Sequence, residues 1–245
     1  MQIGSLSCYY EGVHLLCIGL ALLSANNLAS QKVLLKFDLA ENQRFEYQGI
    51  VTISGENLGN FKGTFHRAER IVSSRSGDVV QSVFVVGVSS VADGKLMAAK
   101  TDFDKLANKK YPGSFHADGR PLDGKKVNQE GAGTIVDLIY SDQPVEIGDT
   151  WTGRIYQGDD TANVKVDFRL LQLSDTEATI EAQTEPNDKL RTTDPFRFVV
   201  DRKSGKPKYV KGTLQAMVSG LKIDIKYEMK MIVPVQTSTV GRLTN

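Results

Sequence analysis

The sequence predicts an all-β protein, with curved antiparallel sheets, half-barrel or sandwich-like, in two related halves and little helix beyond an apolar N-terminal segment. Three observations predict it. Apolar and polar residues alternate with a period of two along strand-length runs. The most regular run has Ile223, Ile225, Tyr227, Met229, Met231 and Val233 facing one way and Lys222, Asp224, Lys226, Glu228 and Lys230 the other, the pattern of a strand with one dry face and one wet face. Short turn signals such as Ser174-Asp175-Thr176 and Ser219-Gly220 separate the runs and favour antiparallel meanders. An entry phrase also repeats. Leu39-Ala40-Glu41-Asn42-Gln43-Arg44-Phe45 heads the first half, residues 31–140, as Pro144-Val145-Glu146-Ile147-Gly148-Asp149-Thr150-Trp151 heads the second, 141–245, with Phe45 where Trp151 falls. A continuous β domain of this length is common.

The first thirty residues stand apart. Val13 to Leu23 is apolar except for His14; it is too short for a bilayer span, which takes about 20 residues, and suits the core of an export signal. Small and polar residues from Ser24 to Ser30 offer cleavage after Ala25 or Ala29. Residues 1–12 carry Glu11 and no basic residue, where such a signal should be positive. Translation from Val13 would explain this; a buried apolar helix is the other reading. Removal of the segment takes both cysteines, Cys8 and Cys17, and with them any disulfide, thiolate metal site or cysteine nucleophile. Leu16 before Cys17 argues against lipid attachment. The mature chain is therefore expected free in a bacterial periplasm or outside the cell, with no transmembrane span. The full chain's 30 Lys and Arg against 29 Asp and Glu give no field with which to hold nucleic acid or an acidic membrane.

Val33-Leu34-Leu35-Lys36-Phe37 opens the alternation. A strand with Phe45, Tyr47, Gly49, Val51 and Ile53 on one face ends at Ser54-Gly55-Glu56-Asn57, and a return strand runs through Phe61 and Phe65 to Ile71-Val72. Val79 to Val91 is the most β-branched run and is expected to be the most buried strand of the first half. The connection 93–133 is polar and glycine-punctuated, with a helical piece near Asp102 to Asn108 and a short strand around Ser114 to Ala117. A connection so long is expected to be mobile or functional. Ile135 to Tyr140 returns the chain to the core. In the second half Val164, Val166, Phe168 and Leu170 alternate with Lys165, Asp167 and Arg169, and Ala178, Ile180 and Ala182 follow. Phe196 to Val200 turns at Lys203-Ser204-Gly205 and returns as Tyr209 to Val218 before the long last strand. The tail from Gln236 is polar and expected to fray.

Together, the Pro144 to Trp151 phrase, Phe198-Val199-Val200-Asp201-Arg202-Lys203-Ser204-Gly205-Lys206 and Lys36 to Tyr47 resemble exported bacterial β-rich proteins of unknown function, similar in plan to half-barrel carriers of lipoproteins or lipids in the envelope. The resemblance covers most of the mature chain. It implies a curved sheet and carries over no functional residue.

No catalytic constellation assembles from the sequence. Serine hydrolysis needs a histidine beside a strained serine; the mature chain offers only His66 and His116 and no Gly-x-Ser-x-Gly elbow. Two histidines without cysteine fall short of a zinc site. Asp102, Asp104, Asp159 and Asp160 read as solvated carboxylates, since no calcium-loop pattern follows them. Gly131-Ala132-Gly133 lacks the strand and third glycine of a dinucleotide cradle. Met217, Met229 and Met231 with Tyr227 form an apolar stripe read as core packing. No catalytic, cofactor or metal residue is assigned. The expectation is a non-enzymatic exported protein binding a hydrophobic ligand, a lipid or a lipidated or extended peptide, on a concave sheet face. The alternatives are an envelope protein-interaction module and, behind it, a carboxylate-dependent hydrolase.

Overall fold

Alternation along the chain resolves into ten strands of one antiparallel sheet. The computed structural model describes residues 32–75, 79–120, 122, 138–157, 162–185, 190–218 and 220–233. The strands are β1 (Arg44–Gly55), β2 (Gly59–Arg75), β3 (Val79–Ala92), β4 (Lys110–His116), β5 (Thr150–Gln157), β6 (Ala162–Leu173), β7 (Glu177–Thr184), β8 (Leu190–Asp201), β9 (Pro207–Val218) and β10 (Leu221–Val233). Among the described residues there is one α-helix, α1 (Met97–Asp104), which follows a 3-10 turn at Gly94–Leu96. The order across the sheet is β4-β3-β2-β1-β10-β9-β8-β7-β6-β5. Two meanders, of four and six strands, are thus sewn together where the first strand pairs with the last, with Gly49 opposite Met229 and Val51 opposite Tyr227.

The sheet is strongly bent. Laid flat, ten strands would hold β4 and β5 about 43 Å apart. Instead His116, Asp118 and Arg120 beyond one edge line the same cleft as Trp151, Thr152 and Arg154 on the other. The segment 138–142 lies in that seam, where the Tyr140 amide donates to the Asp118 carbonyl (2.7 Å) and Phe37 N to Ala117 O (2.7 Å). The edges do not pair with one another, so the sheet curls without closing into a barrel.

Several elements differ from their sequence expectation. Of Val33 to Phe37 only Val33 makes a β contact, an isolated bridge to Val145. The helix begins five residues early, because Phe103 packs edge-on against Phe61 (5.3 Å) and covers Gly63. β3, expected to be the most buried strand of the first half, has a share of buried residues that no other strand there exceeds, and it alternates, with Val80, Ser82, Phe84 and Val86 inside and Val91 66% exposed. β8 starts at Leu190, six residues ahead of the expected Phe196. Asp194-Pro195 reads as a strand breaker, yet the ladder is irregular around Asp194, and proline is accepted at such bulges. The predicted leader 1–30, Gly131-Ala132-Gly133, Asp159-Asp160 and the tail from Gln236 lie outside the described residues. Among the described residues, no helix is long and apolar enough to cross a membrane.

Candidate ligand site on the inner face

Three apolar clusters line the inner face of the bent sheet. The largest joins Phe45, Tyr47 and Ile71 to Phe168, Phe196, Phe198 and Leu214 from the second meander. A second gathers Leu58, Phe61 and Leu96 beneath α1, and a third holds Phe84, Val86 and Tyr111. Partly exposed apolar side chains lie between them: Val51 packs on the first and second, Phe65 on the first and third, Ile225 on the first, and Ile53 and Ile223 on the second. A strip of partly buried apolar surface therefore runs between the clusters along β1, β2 and β10.

Charge enters this face through strand parity. On β2 the inward positions are Phe61, Gly63, Phe65, Arg67, Glu69 and Ile71, so any residue in that register is carried inside. Arg67 sits opposite Tyr47 and Val86, at the boundary of the first and third clusters. Its Nη2 is 3.2 Å from Glu69 Oε2, and its guanidinium lies 4.1 Å from the centre of the Phe84 ring. Glu69 Oε1 accepts from Lys206 Nζ at 2.9 Å, and the ammonium is 5.4 Å from each of the Phe37, Phe45 and Phe115 rings. Burial alone raises the Glu69 carboxyl. The Lys206 and Arg67 charges, with hydrogen bonds from Lys206 and Ser82, outweigh it and hold the group at about 2. Burial, reinforced by the like charge of Arg67, lowers Lys206 against the pull of Glu69. Both shifts report one condition, two cations around one carboxylate. Burial, then Glu69, raises Tyr47 well above an ordinary tyrosine.

The turn between β8 and β9 delivers Lys206. Asp201 Oδ2 accepts from the Ser204 amide (2.9 Å) and hydroxyl (2.6 Å), and the Tyr140 hydroxyl donates to Gly205 O at 2.5 Å. Asp38 N donates to Ser204 O at 3.0 Å, which ties the turn to the segment leading into β1.

A second feature is the seam cleft, about 610 Å3, with Ile139, Tyr140, Trp151 and Gly153 beside His116, Asp118, Arg120, Asp142 and Arg154. Two carboxylates reach it, but that of Asp118 is engaged by Arg120 Nε at 2.6 Å. Among the described residues no group of three His, Cys, Asp or Glu is placed to hold a metal.

The residues weighed from sequence are scattered. His66 lies on the outer face, 3.3 Å from Glu46, and His116 in the seam. Asp102 pairs with Lys105 (2.8 Å), and Asp104 with Lys100 and with Ser90. Tyr227 and Met229 are buried in the core as expected, with Met231 packed partly exposed against it. Met217 is not in that stripe: it pairs with Lys222 and is 43% exposed. Counting by twos from Phe61 through Phe65 to Ile71 puts Arg67 and Glu69 inside, while no pattern in the sequence marks Lys206 as buried.

Fold and site together define a bent, open antiparallel sheet whose inner face carries an apolar strip next to a buried, positively unbalanced charge cluster. No protein-family model matches the chain, and no curated protein matches it. Among solved structures, one described as lipid-protein interactions in lipovitellin is similar, with 9% identity and a TM-score of 0.46. The match covers 84% of this chain and 27% of that one, so this chain spans about a quarter of that protein's length.

Proposed function

We propose that this chain is an exported, non-enzymatic β protein that holds a hydrophobic ligand against the inner face of its sheet. The observation supporting it is the apolar strip on the inner face. The inner face has one large core with two small satellites, the usual arrangement of a folded domain, and between them Val51, Ile53, Phe65, Ile223 and Ile225 keep part of their apolar surface open. Partly exposed apolar surface on the inside of a bend is what an apolar ligand would cover. The ligand is placed on β1, β2 and β10 rather than in the seam, whose walls carry more charge.

Native mass spectrometry of protein purified from its own host compartment tests the reading, followed by solvent extraction of whatever accompanies it. A co-purifying lipid or other amphiphile supports it. Bare protein that also takes up no lipid from vesicles overturns it. N-terminal sequencing of the same sample tests export: a start near Ala25 or Ala29 supports it, and an intact Met1 opposes it.

The outermost position of β4 and β5 among the described strands favours a second reading, a module that binds an extended partner segment at the seam. A partner chain in the same spectrum, in place of a lipid, would select it.

A further inference from the structure

The cluster of Arg67, Glu69 and Lys206 holds two cations and one carboxylate among the described residues. Among the described residues, Glu69 is the only carboxylate that pairs with Arg67 or Lys206. Lys206 is well served: it has the shorter of the two contacts to Glu69, and three aromatic rings surround it. Arg67 has the longer contact, and its Nε is buried with no hydrogen-bond acceptor. Buried donors are paired in nearly all folded proteins, and an orphan asks for an explanation. About 17% of the Arg67 side chain is exposed, and because Arg67 shares the inward parity of Phe65 and Glu69, that exposure opens on the inner face.

Apolar surface continues from this point. Phe65 is the next inward residue on β2 and stacks on Tyr227 of β10 at 5.8 Å. Beyond it lie Val51, Ile225, Ile53 and Ile223, the partly buried strip. From Arg67 to the level of Phe61 is six residues of strand, about 20 Å, the reach of a long acyl chain. A fixed, under-compensated guanidinium at one end of an apolar strip suits a molecule with one anionic end and a long apolar body.

We propose that the ligand of the inner face is a single-chain anionic amphiphile, a long-chain carboxylate, whose head binds the Arg67 guanidinium while its chain lies along Phe65, Val51 and Ile225. This rests on the inner-face reading and adds the chemistry of the head. The carboxylate meets the exposed part of the Arg67 side chain and balances the second cation. Arginine suits the role because its planar fork stays charged when buried and matches a carboxylate.

The test compares dodecanoate, dodecanol and dodecyltrimethylammonium, each titrated into the full mature chain and followed by isothermal calorimetry below the aggregation concentration. Dodecanoate should bind at least about tenfold tighter than dodecanol, the worth of one charge-assisted hydrogen bond, and the cation should bind weakest. In Arg67→Gln the advantage of dodecanoate over dodecanol should vanish, while Arg67→Lys should keep part of it. Equal affinity of the wild-type protein for dodecanoate and dodecanol would overturn the head assignment and leave the inner-face reading standing. Failure of all three to bind would overturn both. The wild-type comparison stands alone should Arg67→Gln fail to fold.

Discussion

Lys206 Nζ lies 2.9 Å from Glu69 Oε1 although 137 positions separate the two residues in the chain. The contact crosses the bend: Glu69 belongs to the four-strand meander and Lys206 to the turn between β8 and β9 of the six-strand one. In a flat sheet β2 and β9 would be about 14 Å apart, three strand spacings. The ion pair is therefore a clasp across the curvature that forms the inner face, and it couples global shape to two side chains.

Removing one partner should be more harmful than removing both. Glu69→Gln or Lys206→Met leaves a buried charge without its counterpart, and each should cost about 3–5 kcal/mol. The pair Glu69→Leu with Lys206→Met removes the stranded ammonium and should recover part of that loss, the remainder coming from Arg67, whose charge is left without its carboxylate. Urea midpoints of the two single variants and the double variant check it. A double variant as unstable as the sum of the singles would contradict the clasp.

The same pair sets a pH dependence. The Glu69 carboxyl is held at about 2 in the folded protein against an ordinary value of 4.5, so the unfolded chain binds its proton first as pH falls. The stabilisation is full above pH 4.5 and is lost between there and about 2. Its size is on the order of 3 kcal/mol. Stability measured from pH 5 to pH 2 should fall more steeply for the wild type than for the Glu69→Leu, Lys206→Met double variant, and parallel slopes would refute the assignment.

How far the sequence revealed this arrangement depended on the kind of signal. Strands with one wet face and one dry face, such as β6 and β10, were plain, because alternation records burial directly. Glycine and asparagine marked the turns at Asn57, Gly148 and Gly220, all of which adopt positive φ. The joining of β1 to β10 was not legible, since both strands look alike from any partner and only the closed set of ten fixes who pairs with whom. The charge cluster was half legible. Parity puts Arg67 and Glu69 inside, but Lys206 ends a turn phrase of polar residues, Asp201 to Ser204, and its burial depends on the Phe37, Phe45 and Phe115 rings, brought from three distant segments.

Gly205 should be irreplaceable in the turn that presents Lys206. Its φ is +71, and a methyl group added there would lie 2.2 Å from the Lys36 carbonyl oxygen, a backbone atom that cannot swing aside. Gly205→Ala should cost about 1–3 kcal/mol from the left-handed backbone alone, and more from the displaced strap. Tyr140→Phe deletes the hydroxyl that donates to Gly205 O and should cost about 1–3 kcal/mol, the desolvation of a carbonyl left unpaired. Thermal melts of both variants provide the comparison, with Gly205→Ala expected to melt lower.

The single tryptophan makes the seam observable. Trp151 Nε1 donates to the Ile139 carbonyl at 2.7 Å, and its ring stacks on Phe168 with centroids 5.7 Å apart and planes 11° from parallel. Trp151→Phe keeps the stacking and loses the donor, so it should cost about 1–3 kcal/mol. In the unaltered protein the emission reports on β5, at the edge of the sheet, while far-UV circular dichroism reports on all ten strands. Because Phe168 belongs to the cluster that also contains Phe45 and Ile71, the edge is tied to the far meander through shared packing. The two signals should then move together through one urea transition. An emission change that precedes the loss of β structure would mean that β5 peels away before the clasp between Glu69 and Lys206 opens.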